Sequence, residues 1–521
     1  MSRDETIERW IGAVLAPEVR APGTIASAEP VVPSREHLAQ FPPALVVAFG
    51  RIPSGARAPT RELNVVREAC EAAGHRAPLV ACDLEQGAGL HFEDATRLPP
   101  ALALASAALA QPDERSALDW LVAAGALTGE EALERGVGLV LAPVADVNTR
   151  RANPIVSIRS FGDEPAAAAQ RACAFLVGLH RAGVLGCAKH FPGHGDTSVD
   201  THLELARVDR SRAALHEIEL APFRALVEHA VDACMVGHLD VPALSGEAAL
   251  PATFSRAALE GVLRGELGFD GAILSDAMNM GALARFDRRY VRALAAGCDV
   301  LLCPHDPLAA ANELRAAVAD GDLPAERLEV AARRALALRD QQARLAARGA
   351  ARSTRRERAA LSDALASASL RWLGAPWTGA RGFELVALAP ERVGEEFDAS
   401  WRALAPQWNS PQAPDVAALG VAVLELGAWR GSYGLTVDED RHLAHALHGA
   451  LDRRGRGVLL WFGSPQLLPD WALGDSRLSV LVAFAPTPPQ VRAASAALRG
   501  ERAVPTQVAG ALGGSLPTRI G

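Results

Sequence analysis

From about residue 40 to residue 345, short apolar runs alternate with longer amphipathic stretches. The runs Leu45–Phe49, Leu79–Asp83, Val137–Ala142, Val184–Lys189, Ala233–Gly237, Ala272–Ser275 and Val300–Cys303 show little polar alternation, so the pattern predicts strands buried on both faces. Between them, stretches such as Glu164–Ala182, Leu215–Ala230 and Ser255–Leu267 place apolar residues at helical spacing. Seven or so strand–helix units over about 300 residues favour a (β/α)8-type TIM barrel over an open sheet. A long helix, Pro324–Ala347, ends this region, and Arg348–Arg358, rich in Arg, Ala and Gly, reads as a linker or exposed helix end. A second pattern follows, with strands at Glu384–Leu388, Val421–Leu426, Val458–Phe462 and Leu478–Phe484 and helices near Asp438–Arg453 and Gln490–Leu498. The expected α/β organisation is a barrel over 1–347, a linker over 348–358 and a small α/β sandwich domain over 359–521.

Bulk properties narrow the classes. Of 521 residues, 49% are hydrophobic and 22% charged, enough for a large buried core. The formal net charge of −8 offers nothing to a nucleic acid. No apolar run approaches the roughly 18–20 residues of a transmembrane helix. The start, Met1-Ser2-Arg3-Asp4-Glu5, lacks a basic segment followed by an apolar core, so no signal peptide is expected. Seven cysteines are scattered, mostly inside apolar runs and without a CxxC pair, which points to buried thiols in a reducing, cytoplasmic setting. Nothing here fixes an oligomeric state.

The chemistry concentrates in Lys189–His202, which holds three histidines, a lysine and two aspartates. Pro192, Gly193 and Gly195 interrupt any helix, so the segment reads as a loop after a buried strand, where α/β enzymes place reactive groups. Asp200 and His202 stand two apart, so an extended chain puts both on one face and lets the carboxylate accept from the imidazole. Such a bond fixes the tautomer and suits His202 to proton transfer near neutral pH. The two glycines would let the loop swing over a substrate. His190 and His194 have the spacing of zinc ligands, but those need a helix that Pro192 and Gly193 forbid, so no metal is expected.

A second constellation is Ala272–Ser275 running into Asp276, which places a carboxylate at a strand's C-terminal end. That position suits a catalytic group in a barrel, and equally an N-cap of the next helix. Asp83, Arg159, Lys189, His190 and His238 also fall at predicted strand ends on the same side. A ring of donors and acceptors is what a sugar pocket needs, because every hydroxyl left unpaired costs affinity.

Taken together, these motifs resemble glycoside hydrolase family 3, in its bacterial β-N-acetylglucosaminidase branch. The resemblance covers about residues 40–345 and rests on Lys189–Gly195 with Asp200-Thr201-His202, on Ala142–Asn148 with Arg159-Ser160-Phe161-Gly162, and on Gly268–Asp276. It implies a retaining hydrolase of terminal β-linked N-acetylglucosamine, acting on peptidoglycan fragments without a cofactor. It further implies Asp276 as nucleophile, His202 as acid/base with Asp200 as partner, and Asp83, Arg159, Lys189 and His190 as sugar-binding groups. His238 joins that set from its place at a strand end. Alternatives are a β-glucosidase, a β-N-acetylglucosaminide phosphorylase, or a barrel that binds sugar without turnover. Two departures stand next to the pocket: Asp83-Leu84-Glu85-Gln86-Gly87-Ala88 replaces the usual Asp-x-Glu-Gly-Gly-Arg, and Ala277 follows Asp276 where a second Asp is usual.

Overall fold

The computed structural model describes residues 2–20, 32–50, 61–151, 153–347, 353–373, 382–389, 416–423 and 437–507. The first strand is split at Pro17 into β1 (Leu15–Ala16) and β2 (Glu18–Arg20). There follow β3 (Leu45–Phe49), β4 (Leu79–Cys82), β5 (Leu139–Val140), β6 (Leu185–Phe191), β7 (Ala206–Arg207), β8 (Ala233–Val236), β9 (Leu239–Asp240), β10 (Ala272–Ser275) and β11 (Leu301–Leu302). The order β10-β8-β6-β5-β4-β3-β2 is parallel throughout. Closure comes from β1 pairing with β11 and from a parallel bridge between Leu274 and Val300. Among the described residues this makes eight parallel strand positions in a ring, with β7 and β9 forming a separate pair.

The seven predicted barrel strands all form, within a few residues of their expected ends. The eighth position was missed in sequence because Leu15–Arg20 is short, carries Glu18 and Arg20, and is interrupted by Pro17. The expected helix Leu215–Ala230 is two helices, Arg212–Glu217 and Ala221–Glu228. Pro222 explains the break: it has no N–H to donate, so it is tolerated in the first turn of the second helix but not inside one long helix.

The second unit is a six-stranded sheet of β12 (Arg371–Leu373), β13 (Gly382–Ala389), β14 (Val416–Val423), β15 (Gly457–Phe462), β16 (Leu478–Val482) and β17 (Thr506–Gln507), in the order β13-β14-β15-β16-β12-β17. The four strands β13 to β16 are parallel, and β12 runs antiparallel to β16. Side chains alternate along β15: Leu459 and Trp461 pack with the helix Val437–Arg454, while Val458, Leu460 and Phe462 pack with the helices Arg355–Ser369 and Pro488–Leu498. Leu424–Leu426 of the expected strand lie outside the described residues.

The two units share an apolar seam, in which Leu102, Ala103 and Ile158 of the barrel join the cluster around Trp461. A polar latch lies beside it. The helix Arg355–Ser369 begins inside the segment 348–358, and Arg358 is buried rather than exposed. Its guanidinium lies 2.6 Å from Glu134, 3.4 Å from Glu130 and 3.6 Å from Glu131, all on the barrel helix Glu114–Glu134. Removing the guanidinium leaves buried Glu131 and half-buried Glu130 without their cation, so Arg358→Ala should destabilise the fold by about 2 kcal/mol. A urea midpoint within error of wild type would contradict that role.

Among the described residues no helix is long and apolar enough to cross a membrane.

Candidate active site

All the barrel strands present their C-terminal ends to one face, and the predicted site residues gather there. Asp276 follows β10 directly, and its backbone N–H donates to the Val236 carbonyl at 2.9 Å. Its Oδ1 accepts from the Ala277 N–H at 2.8 Å, while Oδ2 takes no hydrogen bond from the described residues. Burial alone would raise the carboxyl's pKa, but His190, His238 and His202 are close enough to hold it at about 2. Asp276 is therefore an ionised carboxylate at neutral pH.

His238 lies beside it, fully buried. Nε2 donates to the Ala277 carbonyl at 3.1 Å, and Nδ1 accepts from the Thr253 hydroxyl at 2.7 Å. Burial lowers its pKa, so the ring is neutral. With both nitrogens engaged by protein, His238 fixes the backbone around Asp276 rather than reaching a sugar, which corrects its expected place among the sugar contacts.

The floor opposite is a charged cluster. Lys189 Nζ, almost completely buried, sits 2.5 Å from Asp83 Oδ1 and 2.6 Å from Glu85 Oε1. Arg159 donates to both Glu85 oxygens, at 2.9 and 2.8 Å. Burial works against charge on Glu85, but Arg159 and Lys189 outweigh it and hold the carboxyl well below its usual range. Burial likewise opposes the Lys189 ammonium, and Asp83 and Glu85 reverse that and raise its pKa. Lys189 is a fixed cation, and Glu85 has no proton to give.

The segment that carries His190 through His202 is held from below by Asp146. Its Oδ2 accepts from His190 Nδ1 at 2.7 Å, and its Oδ1 accepts from the backbone N–H groups of His190 at 3.2 Å and His194 at 2.7 Å. His190 Nε2 then lies 3.4 Å from Arg159 Nη2. His194 spends both nitrogens inside the loop, with Nδ1 donating to Thr197 Oγ1 at 2.6 Å and Nε2 accepting from Thr201 Oγ1 at 3.0 Å. Burial pushes its pKa down to about 4. The His190 and His194 rings stand edge to face with centroids 5.9 Å apart, and their nitrogens bond to different partners.

At the loop's far end, Asp200 is buried and its Oδ1 accepts from both the backbone N–H of His202, at 2.8 Å, and His202 Nδ1, at 2.7 Å. The double bond fixes ring and backbone together and turns Nε2 away from Asp200. The loop end docks beside the segment that follows β10 and Asp276, because Gly281 N–H donates to the His202 carbonyl at 3.0 Å. The dyad and Asp276 are thus brought together from sequence positions 74 apart.

The loop glycines serve a different purpose from the hinge expected in sequence. A Cβ on Gly195 would stand 1.6 Å from the Val147 carbonyl oxygen. Gly193 has φ of +124°, and a Cβ there would meet the Glu219 side chain at 2.6 Å. Gly195 is a position of close backbone approach and Gly193 combines a positive φ with a side chain packed against it, and both call for glycine. Beneath them, Glu219 is fully buried 2.9 Å from Arg210, and desolvation, opposed by Arg210, raises its pKa to about 7.

Glu85, which the sequence sets beside Asp83 at the end of β4, is the hub between Lys189 and Arg159, and sequence reading missed two further groups. Asp146 positions both His190 and His194. Asn153, fully buried, donates to the His194 carbonyl at 2.8 Å and accepts from the backbone N–H groups of Ile155 and Val156. The available signal was a carboxylate or amide inside an apolar run, since burying one demands partners. The altered stretch after Asp83 folds tightly: Ala88 is completely buried, and Leu98 N–H donates to the Gln86 carbonyl at 2.8 Å.

Residues 35–338 match the family model for the glycosyl hydrolase family 3 N terminal domain. A protein of Alkalilimnicola ehrlichii named beta-hexosaminidase is 38% identical over 253 residues, covering 47% of this chain and 70% of that protein. The solved family 3 beta-N-acetylglucosaminidase from Paenibacillus sp. str. FPU-7 superposes with a TM-score of 0.74 at 23% identity, over 97% of this chain and 98% of that one. A beta-glucoside phosphorylase, BglX, bound to 2FGlc gives a TM-score of 0.79 at 19% identity, over 97% and 93% of the two chains. At those identities the two structures speak to the fold, a barrel followed by a second domain. The family match spans more than half of the chain, and the protein belongs to glycosyl hydrolase family 3.

Proposed function

We propose that this protein is a retaining exo-β-N-acetylglucosaminidase. The observation that carries the reading is the pairing of an ionised carboxylate at Asp276 with the Asp200–His202 dyad docked beside it. In the first step an Asp276 oxygen attacks the anomeric carbon while the glycosidic bond breaks, and the leaving oxygen takes a proton from His202 Nε2. In the second, His202 Nε2 accepts a proton from water as that water attacks the anomeric carbon and releases Asp276. The usual second carboxylate is thus replaced by an imidazole. Lys189, Arg159, His190 and Asp83 hold the sugar hydroxyls. The N-acetylglucosamine preference follows relatives such as the Alkalilimnicola beta-hexosaminidase. Fragments of peptidoglycan, which carry terminal β-linked N-acetylglucosamine, are the natural substrate in this reading. A cytoplasmic site of action accords with seven buried cysteines, all of them free thiols.

A neutral imidazole base does not repel an anionic acceptor as a carboxylate would, so phosphate belongs in the test. Purified enzyme should cleave aryl β-N-acetylglucosaminide at least about ten-fold faster than aryl β-glucoside, judged by kcat/KM. Release of free N-acetylglucosamine at a phosphate-independent rate is the expected outcome. A phosphate-dependent rate with sugar 1-phosphate as product would replace hydrolysis by phosphorolysis.

A further inference from the structure

The second unit sets the side chain of Gln466 against two loops on the catalytic face of the barrel. Gln466 lies on the short turn after β15, where Ser464 Oγ accepts from its backbone N–H at 3.3 Å. Its Oε1 accepts from Asn148 Nδ2 at 2.7 Å, and its Nε2 donates to Asp163 Oδ2 at 3.1 Å. One amide therefore bridges the two barrel loops that flank Arg159. Arg151 returns the contact, donating to the carbonyls of Gln466 and, at 2.7 Å, Leu468.

What Gln466 holds bears directly on the acid/base loop. Asn148 is buried, and its N–H donates to the Gly162 carbonyl at 3.0 Å, which ties the two loops together a second time. The same segment contains Asp146, which seats His190 and His194, and Val147, against whose carbonyl Gly195 packs. Two residues on, Arg150 N–H donates to the Gly195 carbonyl at 3.2 Å and Arg150 Nε to the Asp196 carbonyl at 2.7 Å. Gln466 thus braces the shelf on which the loop leading to Asp200 and His202 rests.

We infer that Gln466 is a positioning residue, through which the second unit sets the placement of the His202 loop. The inference rests on the proposed role of His202 as the acid. It assigns the second unit a part in the reaction through a side chain that bonds to Asn148 and Asp163 rather than to Asp276 or His202. Loss of an amide that both accepts and donates should loosen the loop without removing any group that meets the sugar. The effect should therefore fall on kcat more than on KM, and on substrates that need proton donation most.

The test compares Gln466→Ala, Gln466→Glu and, as an interface control, Ser106→Ala. Ser106 Oγ donates across the same interface to the Ser369 carbonyl at 2.8 Å, through contacts that do not involve the loop. Kinetics are read on aryl β-N-acetylglucosaminides with good and poor leaving groups, with His202→Ala as reference. Gln466→Ala should lose about ten-fold in kcat on the poor leaving group and about two-fold or less on the good one. Gln466→Glu keeps an acceptor for Asn148 but sets a carboxylate against Asp163. It should recover toward wild type as pH falls and the introduced carboxyl regains a proton. Ser106→Ala should lower the melting temperature without changing leaving-group dependence. Equal losses on both substrates, or a Gln466→Ala enzyme that differs from Ser106→Ala in nothing but stability, would overturn the positioning role while a selective His202→Ala leaves the mechanism standing. A non-selective His202→Ala would remove both.

Discussion

Asp276→Ala should reduce kcat/KM on aryl β-N-acetylglucosaminides by about 10⁴-fold or more, roughly 5 kcal/mol of transition-state stabilisation. The expectation follows from how the carboxylate is held. One oxygen is committed to the Ala277 N–H, the other takes no hydrogen bond from the described residues, and the pKa near 2 keeps the group ionised through any practical assay range. A depressed carboxyl pKa has one sign: the ionised form is favoured at every pH above about 2, so Asp276 does not produce an activity limb near neutrality. Loss of the side chain should leave sugar binding largely intact, because Lys189, Glu85 and Arg159 form their cluster without it. Azide, small enough to enter the vacated space, should partly restore turnover of an activated substrate and yield the α-glycosyl azide. In the unmodified enzyme, a slow fluorinated substrate should add its mass to the peptide that contains Asp276. A mutant keeping more than about 1% of wild-type kcat/KM, or a label on another peptide, would remove Asp276 from the role of nucleophile.

What the sequence made legible was set by local chemistry. The strands were visible because a parallel barrel strand is covered on both faces and therefore apolar along its length, as in Ala272–Ser275. The strand Leu15–Arg20 escaped because its partners lie far away in sequence: β11 supplies one edge and β3 the other, and neither leaves a mark on a stretch broken by Pro17. Strand β12 escaped for a similar reason, being three residues long with a buried arginine, Arg371. The site was legible as a set of ionisable groups at strand ends, but not as a network. That Glu85 pairs Lys189 with Arg159, or that both His238 nitrogens are already taken, depends on loops from four strands meeting. The glycines show the same limit. Sequence reports freedom at Gly193 and Gly195, whereas packing uses their missing side chains to bring Val147 and Glu219 against the loop.

His202→Ala should divide substrates by leaving group, and the structure gives reasons to expect no substitute for the lost acid. Glu85 is held ionised by Arg159 and Lys189, and so has no proton to donate. His194 and His238 are neutral and have both nitrogens bonded within the protein. His190 donates its Nδ1–H to Asp146 in a hydrogen bond, and its Nε2 lies against the Arg159 guanidinium. His202 alone in this set combines a carboxylate partner at Nδ1 with a ring that is partly exposed, its side chain 23% accessible. A poor leaving group, which must be protonated as it departs, should therefore lose about 10³-fold in kcat/KM, while a dinitrophenolate, stable as an anion, should lose about ten-fold or less. The alkaline limb of the pH profile, which requires an acid to deprotonate, should flatten for the mutant. Asp200→Asn should give a smaller loss of the same selectivity, since an amide can still orient the ring but cannot stabilise its cation. The second step adds an independent reading. With an activated substrate the His202→Ala enzyme should accumulate glycosyl-enzyme, because water then attacks without a base, and added azide, which needs none, should speed turnover. Equal losses across leaving groups, together with no azide effect, would place the proton donor elsewhere and leave the dyad as a structural clasp on the loop.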